Sequence, residues 1–216
     1  MPLYTADALV LRTYKLGEAD RIVVFLTRDR GKKRGVAKGA RRPRSRFTGA
    51  LEPLTEVRVA YFEKERRELV GLNYAETHRS PLTLSNQEAL GYVSYFAELL
   101  DEWAQEADAD DRLYRLGASM LDALAAGAPV EPLARYFEYW LLRLQGVYPE
   151  SQGTLSDAAM AFLTTARSVG PQQVGGMAAT TRVLNELEHV HRALIATHLE
   201  KTLKSDRVLR DLRRHT

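Results

Sequence analysis

Apolar and polar positions alternate through residues 1–80, and the period lengthens after Pro81. Residues 6–11 form a short apolar run, and residues 21–27 (RIVVFLT) are rich in the β-branched and aromatic side chains that strands favour. LGEAD supplies a turn between them, and TRDRG at 27–31 supplies a second. Residues 32–38 then place Lys32, Arg34 and Lys38 on one face of a strand, because successive side chains point to opposite sides. In EVRVAYF (56–62), Val57, Val59 and Tyr61 face one way and Glu56, Arg58 and Ala60 the other. Residues 69–72 make a last short strand that ends near Tyr74. Short strands separated by turns in so little chain predict a small closed barrel rather than a sandwich. The five-stranded oligonucleotide-binding barrel (OB-fold) is the natural candidate; an SH3-like barrel is the alternative that the pattern leaves open.

Beyond Pro81 the spacing is helical. Ser85 and Glu88 form a capping-box signature, followed by an apolar stripe of Leu90, Val93, Phe96, Ala97, Leu100 and Trp103. A second helix is predicted to start near Asp110 or Asp111, to bury Leu113, Leu116, Met120, Leu121 and Leu124, and to stop at Gly127. A third runs from about Glu131 with Leu133, Phe137, Trp140, Leu141 and Leu144, and stops at Gly146. A fourth opens around Ser156 with Met160, Phe162 and Leu163, and GPQQVGG (170–176) breaks the pattern. The last starts near Thr181 and carries Val183, Leu184, Leu187, Val190, Leu194 and Leu199. Trp and Tyr residues on these stripes read as core. The predicted class is α+β: a β-barrel domain over residues 1–80 and an all-α helical domain over residues 81–216.

Composition adds limits. With 216 residues, 45% of them hydrophobic, the chain can bury a core without disulfides or metals. Cysteine is absent, which removes disulfides, thiolate metal sites and thiol nucleophiles and fits a reducing cytoplasm. Neither an export leader nor an apolar run of membrane-spanning length is apparent, so the chain is expected to be soluble and cytoplasmic.

Charge changes the picture more. The formal net charge is only +3, yet the segment 28–46 (RDRGKKRGVAKGARRPRSR) carries Arg28, Arg30, Lys32, Lys33, Arg34, Lys38, Arg41, Arg42, Arg44 and Arg46 against one acid, Asp29. A local field of this kind suits a polyanion-binding face; a merely solvated charge run is the bland alternative. The middle of the chain is acidic, with Glu98, Asp101, Glu102, Glu106, Asp108, Asp110 and Asp111 crowded together, and is expected to repel a polyanion. The end is basic again through Lys201, Lys204, Arg207, Arg210, Arg213 and Arg214. Aromatics near the basic run are sparse: Phe47 adjoins it, Tyr14 lies in the first loop and Phe25 is assigned to the core. Binding is therefore expected to rest on backbone charge, with weak sequence preference and tolerance of single and double strands.

Catalytic chemistry is missing. No phosphate-binding G-x-x-x-x-G-K-[ST] loop occurs, so Gly31, Gly35 and Gly39 are read as ending strands or letting backbone approach phosphate. Nucleophile-elbow and zinc-protease motifs are absent too. His189 and His191 point in different directions on a helix; His191 and His198 share a face but have no nearby carboxylate in sequence. Each histidine is read as a surface or interface residue. Asp108, Asp110 and Asp111 suit a helix start better than a calcium loop. The chain is expected to be no enzyme and to need no metal or cofactor; an enzyme using scattered acids such as Asp101 and Glu102 ranks last.

The stretch LRTYKLGEADRIVVFLTRDRGKKRGVAKGARRPRSRFTGALEPL resembles the N-terminal domain of the RecO family, bacterial mediators of recombination and DNA repair. YFEYWLLRLQGVYPE resembles that family's helix and following G-x-x-P turn, and HLEKTLKSDRVLRDL its ending. The resemblance implies an OB barrel that binds DNA and anneals complementary strands without ATP. It also implies a helical domain that contacts the single-strand-binding protein, and RecR as partner in loading RecA at the nucleoid. Residue by residue it marks Lys38, Arg41, Arg42, Arg44 and Arg46 as DNA contacts, with Lys32, Lys33 and Arg34 as additional ones; the charge run adds Arg28. Many family members carry a four-cysteine zinc module after the turn. Here Val147-Tyr148-Pro149 leads into Glu150, Ser151, Gln152 and Gly153, so the metal site is absent, and GPQQVGGMA is read as what remains of the module. The competing reading is an adaptor whose basic face holds acidic protein tails and meets DNA only through its partner.

Overall fold

Strands form at β1 (Leu3–Leu16), β2 (Asp20–Thr27), β3 (Gly31–Ala37), β4 (Glu56–Phe62) and β5 (Val70–Arg79). They are seen in a computed structural model that describes residues 2–63, 68–84, 87–149, 155–201, 203–205 and 209. They close into a barrel in the order β1-β2-β3-β5-β4. All neighbours are antiparallel except β3 and β5, which run parallel. This crossover, with β5 returning beside β3, is the OB arrangement and removes the SH3-like alternative.

β1 is longer than its apolar centre because it serves two neighbours. It pairs with β4 through Leu3–Leu9 and with β2 from Ala8 to Leu16, and the register shifts between Val10 and Arg12. A bulge of this kind bends a strand from one sheet edge toward the next. Inside the barrel lie Val10, Val23, Phe25, Val57, Val59 and Tyr61, with Phe47, Ala50 and Leu51 added from the connection between β3 and β4. The seam between β3 and β5 needs glycine: a Cβ on Gly35 would lie 2.0 Å from Leu72 Cδ1.

α1 (Gln87–Trp103) and α2 (Asp111–Ala125) follow. Ser85 of the predicted capping box lies outside the described residues. α1 buries Tyr92, Val93, Phe96, Ala97, Leu100 and Trp103, but Leu90 is 39% exposed, against expectation. The buried face centres on Tyr92, Phe96 and Leu99, which puts Leu90 at its margin. α2 begins where the acids stand: Asp110 Oδ1 accepts from the backbone N–H of Arg112 (3.0 Å) and of Leu113 (3.1 Å). Strands stop at Arg79, yet the first compact unit continues to Leu121 and so takes in α1 and most of α2.

The second compact unit, Asp122–Thr216, contains α3 (Val130–Leu144), α4 (Asp157–Ala166) and α5 (Thr181–Leu199). Helix ends fall where the residues demand them. Gly127 and Gly146 adopt left-handed backbone after α2 and α3, and Ser156 and Thr180 cap α4 and α5 through their hydroxyls. GPQQVGG interrupts as expected, forming a short 3-10 helix that buries Val174. On α5 the buried positions are Val183, Leu184, Leu187, His191 and Ile195, so Val190, Leu194 and Leu199 are only half-buried.

His191 corrects the surface reading: it is fully buried. Its Nδ1 lies 3.0 Å from Glu138 Oε2, and its Nε2 lies 3.4 Å from the Tyr148 hydroxyl. Arg135 adds ion pairs to Glu138 (2.9 Å) and Glu188 (3.1 Å). The carboxylate that sequence spacing did not supply comes from α3. Among the described residues no group of three His, Cys, Asp or Glu side chains is placed to hold a metal.

Candidate nucleic-acid interface

The connection 38–55 gathers five exposed cations, Lys38, Arg41, Arg42, Arg44 and Arg46, into one short segment. A helix there would set like charges one turn apart, and Pro43 would remove a backbone donor from its interior. The chain instead makes successive tight turns, with N–H groups of Arg42, Ser45 and Thr48 donating to the carbonyls of Gly39, Arg42 and Ser45 at 3.0, 3.2 and 3.1 Å. Arg44 sits at φ 59°, in left-handed backbone.

Two anchors fix this loop. Phe47 is buried in the barrel core, with the Arg46 guanidinium 5.1 Å from its ring centre. At the other end the loop is tied to the β1–β2 turn. Gly39 N–H donates to Asp20 Oδ1 (2.8 Å), Arg41 N–H to the Ala19 carbonyl (2.9 Å), and Arg41 Nη1 to the Gly17 carbonyl (3.0 Å). The sequence reading did not include Asp20; its only signal was an acid closing the LGEAD turn.

The predicted DNA contacts separate into two groups. Lys38, Arg41, Arg42, Arg44 and Arg46 are exposed, and none is ion-paired with a carboxylate among the described residues. The other four meet the chain's own acids. Arg28 lies 2.8 Å from Asp111, Lys32 3.4 Å from Asp101, Lys33 2.9 Å from Glu63 and Arg34 2.9 Å from Glu106. Lys32 Nζ also donates to the Asp101 carbonyl at 2.6 Å.

The acids do not stand apart from the basic segment, as the sequence order suggested. The end of α1 and the connection after it lie against the outer face of β1 and β3. Arg12 reaches Glu98 (3.7 Å), Asp101 (3.2 Å) and Glu102 (3.6 Å), and residue 106 forms a parallel bridge with Lys32. Burial by itself lowers the Arg12 pKa, but the Tyr14 hydroxyl and Asp101 outweigh it and hold the guanidinium above its ordinary value. A cleft of about 470 Å³ on this face is lined by Tyr14, Ile22, Arg12, Lys32, Arg34 and Asp101, among others.

The glycine series does not approach phosphate through this face. Gly31 opens β3 at φ +67°, where a Cβ would lie 2.4 Å from the Asp108 carbonyl oxygen. Gly35 packs on Leu72 in mid-strand, and Gly39 follows the end of β3 and binds Asp20.

Comparison with known proteins places this geometry. The family described as Recombination protein O N terminal matches residues 1–81, and that described as Recombination protein O C terminal matches residues 84–154. A DNA repair protein RecO of Koribacter versatilis is 42% identical over 152 residues, covering 68% of this chain and 61% of its own length. One of Pelotomaculum thermopropionicum is 30% identical over 240 residues, covering 95% of this chain and 93% of its own. One of Bifidobacterium adolescentis is 45% identical over 132 residues, covering 59% and 52%. The aligned part thus spans less than two thirds of the first and third relatives and nearly all of the second.

Proposed function

Because the chain belongs to the RecO family, we propose that it is a DNA repair and recombination mediator that binds single- and double-stranded DNA and anneals complementary strands without ATP. The observation that carries this reading is the clamped loop whose Lys38, Arg41, Arg42, Arg44 and Arg46 are exposed and have no carboxylate partner among the described residues. Guanidinium groups suit phosphate because they donate in a planar fork, and their charge releases counterions when a backbone docks. Arg28, Lys32, Lys33 and Arg34 join the interface where phosphate displaces Asp111, Asp101, Glu63 and Glu106. The pairs of Arg28 and Arg34 are exposed and weak enough for such exchange, whereas Lys32, beside buried Asp101, and half-buried Lys33 exchange less readily.

In this reading the barrel of residues 1–80 holds DNA and the helices of residues 81–216 hold protein partners. Those partners are the single-strand-binding protein and RecR, with which the chain helps load RecA onto coated strands. It acts as a mediator and not as an enzyme, in the cytoplasm at the nucleoid; no helix among the described residues is long and apolar enough to cross a membrane.

Fluorescence anisotropy on labelled single strands tests the charge requirement. With about five phosphates neutralised, raising salt from about 50 to about 200 mM weakens binding roughly a hundredfold. The variant R41E/R42E/R44E loses most affinity at low salt. If its affinity matches the unaltered chain's, the adaptor reading takes over.

A further inference from the structure

Within the second compact unit, the end of α3 meets the end of α4 around one buried hydroxyl. Trp140 Nε1 donates to the Ala166 carbonyl (3.1 Å) and the Tyr136 hydroxyl to that of Val169 (3.2 Å), which pins the close of α4 against α3. Arg143 lies one turn beyond Tyr139, and Arg167 caps α4. Both reach the same atom: Arg143 Nη1 donates to the Tyr139 hydroxyl at 2.9 Å and Arg167 Nε at 2.5 Å. Their guanidinium carbons lie 5.7 and 5.9 Å from the Tyr139 ring centre.

The C-terminal end of a helix attracts cations, which accounts for one charge on each. It does not account for two on one oxygen, where like charges repel. Neither arginine has a carboxylate partner among the described residues, although both are exposed. Tyr139 is fully buried, and its oxygen accepts from both arginines, so its own proton is still to be given. No acceptor for that proton occurs among the described residues. The two guanidiniums line a pocket of about 460 Å³ whose other walls are Gly146, Tyr148 and Pro149. Tyr148 is fixed from two sides: its ring stands edge-on to Tyr139 with centres 5.0 Å apart, and its hydroxyl lies 3.4 Å from His191 Nε2.

A ligand for this pocket carries enough negative charge for two planar forks and is larger than a bare ion. A carboxylate or a phosphodiester brings a single charge. A phosphomonoester brings about −1.5 to −2 at neutral pH and three strong acceptor oxygens. Behind the phosphate, an aromatic face and a proline suit a base or a sugar. We propose that Arg143, Arg167 and the Tyr139 hydroxyl hold the phosphate of a nucleotide monoester, whose organic part rests against Tyr148 and Pro149. Its source is a free nucleotide or the 5′-phosphorylated end of a strand. The site is separate from the basic loop and does not depend on it.

Isothermal titration calorimetry on the full chain compares thymidine 5′-monophosphate, the methyl ester of its phosphate, thymidine and an oligoaspartate peptide. The monophosphate binds, and the other probes are weaker by roughly tenfold or more. R143Q/R167Q loses roughly tenfold or more for the monophosphate, and R143K/R167K, which keeps the charges without the forks, is weakened as well. R41E/R42E/R44E retains it. An oligothymidylate bearing a 5′-phosphate is then compared with one bearing a 5′-hydroxyl. Tighter binding of the first, abolished by R143Q/R167Q, assigns the pocket to strand ends; equal binding of the two, with the monophosphate still bound, assigns it to free nucleotides. The proposal is overturned if the monophosphate does not bind or if any other probe matches it. It is also overturned if R143Q/R167Q keeps full affinity, or if only R41E/R42E/R44E abolishes binding. Should R143Q/R167Q fail to fold, as judged by circular dichroism, R143K/R167K answers the same question, and unweakened binding there overturns the site. If R41E/R42E/R44E leaves strand affinity unchanged, the loop reading fails and the pocket stands.

Discussion

Glu56 joins three elements through one carboxylate: it accepts from Arg79 Nε at 2.5 Å and from the Tyr114 hydroxyl at 2.7 Å, linking β4 to β5 and α2. Burial by itself pushes its pKa up, but the two hydrogen bonds and the Arg79 charge more than offset this and hold the carboxyl below its ordinary range. A carboxyl whose folded value lies below its unfolded one contributes stability above the unfolded value, and that contribution is lost as pH falls through the folded one. Glu56→Gln is therefore expected to melt at lower temperature than the unaltered chain at neutral pH. The gap should begin to close as pH falls below the ordinary carboxylate value of about 4.3 and should vanish only once pH has passed through the lower folded value. Contacts at this scale were the least legible in the sequence. Glu63, Glu106 and Asp111 stand far along the chain from Lys33, Arg34 and Arg28, and no local period announces their meeting. His191 was misread for the same reason, because its partner Glu138 stands on another helix.

Among elements, the connection between β3 and β4 does the most. Phe47, Ala50, Leu51 and Leu54 are buried, so a segment that reads as basic loop also completes the barrel interior. Phe47→Ala is expected to cost about 3–5 kcal/mol, measured by denaturant unfolding, because the void it leaves lies inside the barrel. The strand pattern foretold β2 and β4 closely, since each has a clear apolar face; β3 falls within one residue of its expected range although Val36 and Ala37 point to opposite sides. The pattern cut β1 and β5 short. Residues 73–79 (NYAETHR) are largely polar, yet they extend β5 because β4 supplies hydrogen bonds all along them. Backbone pairing of that kind leaves little mark on side-chain hydropathy.

For the molecule as a whole, the excess of Lys and Arg along residues 28–46 overstates the usable field. Acids from α1 and the residues after it cancel part of it, leaving the five loop cations dominant. Glu106→Gln releases Arg34, an exposed group, and is expected to raise DNA affinity at low salt. The log–log salt slope should steepen by about 0.7 for the one additional phosphate neutralised on a single strand. An unchanged slope would show that Arg34 stays off the nucleic acid. Where the strands stop was legible at Ser80-Pro81; that the first compact unit runs on to Leu121 was not, because the ion pairs and packing that attach α1 are not periodic.

The ladders around the barrel are unequal. Among the described residues β3 meets β5 only at Gly35 with Val70 and Val36 with Gly71, whereas β1 and β2 pair from Ala8 to Leu16 with one register shift between Val10 and Arg12. Thermal breathing concentrates at the briefest ladder, so deuterium from solvent enters the amides there ahead of those on the β1–β2 ribbon. Val36 borders that gap and faces outward beside Ile22, so each transient parting also moves the outer surface of the barrel between β2 and β3.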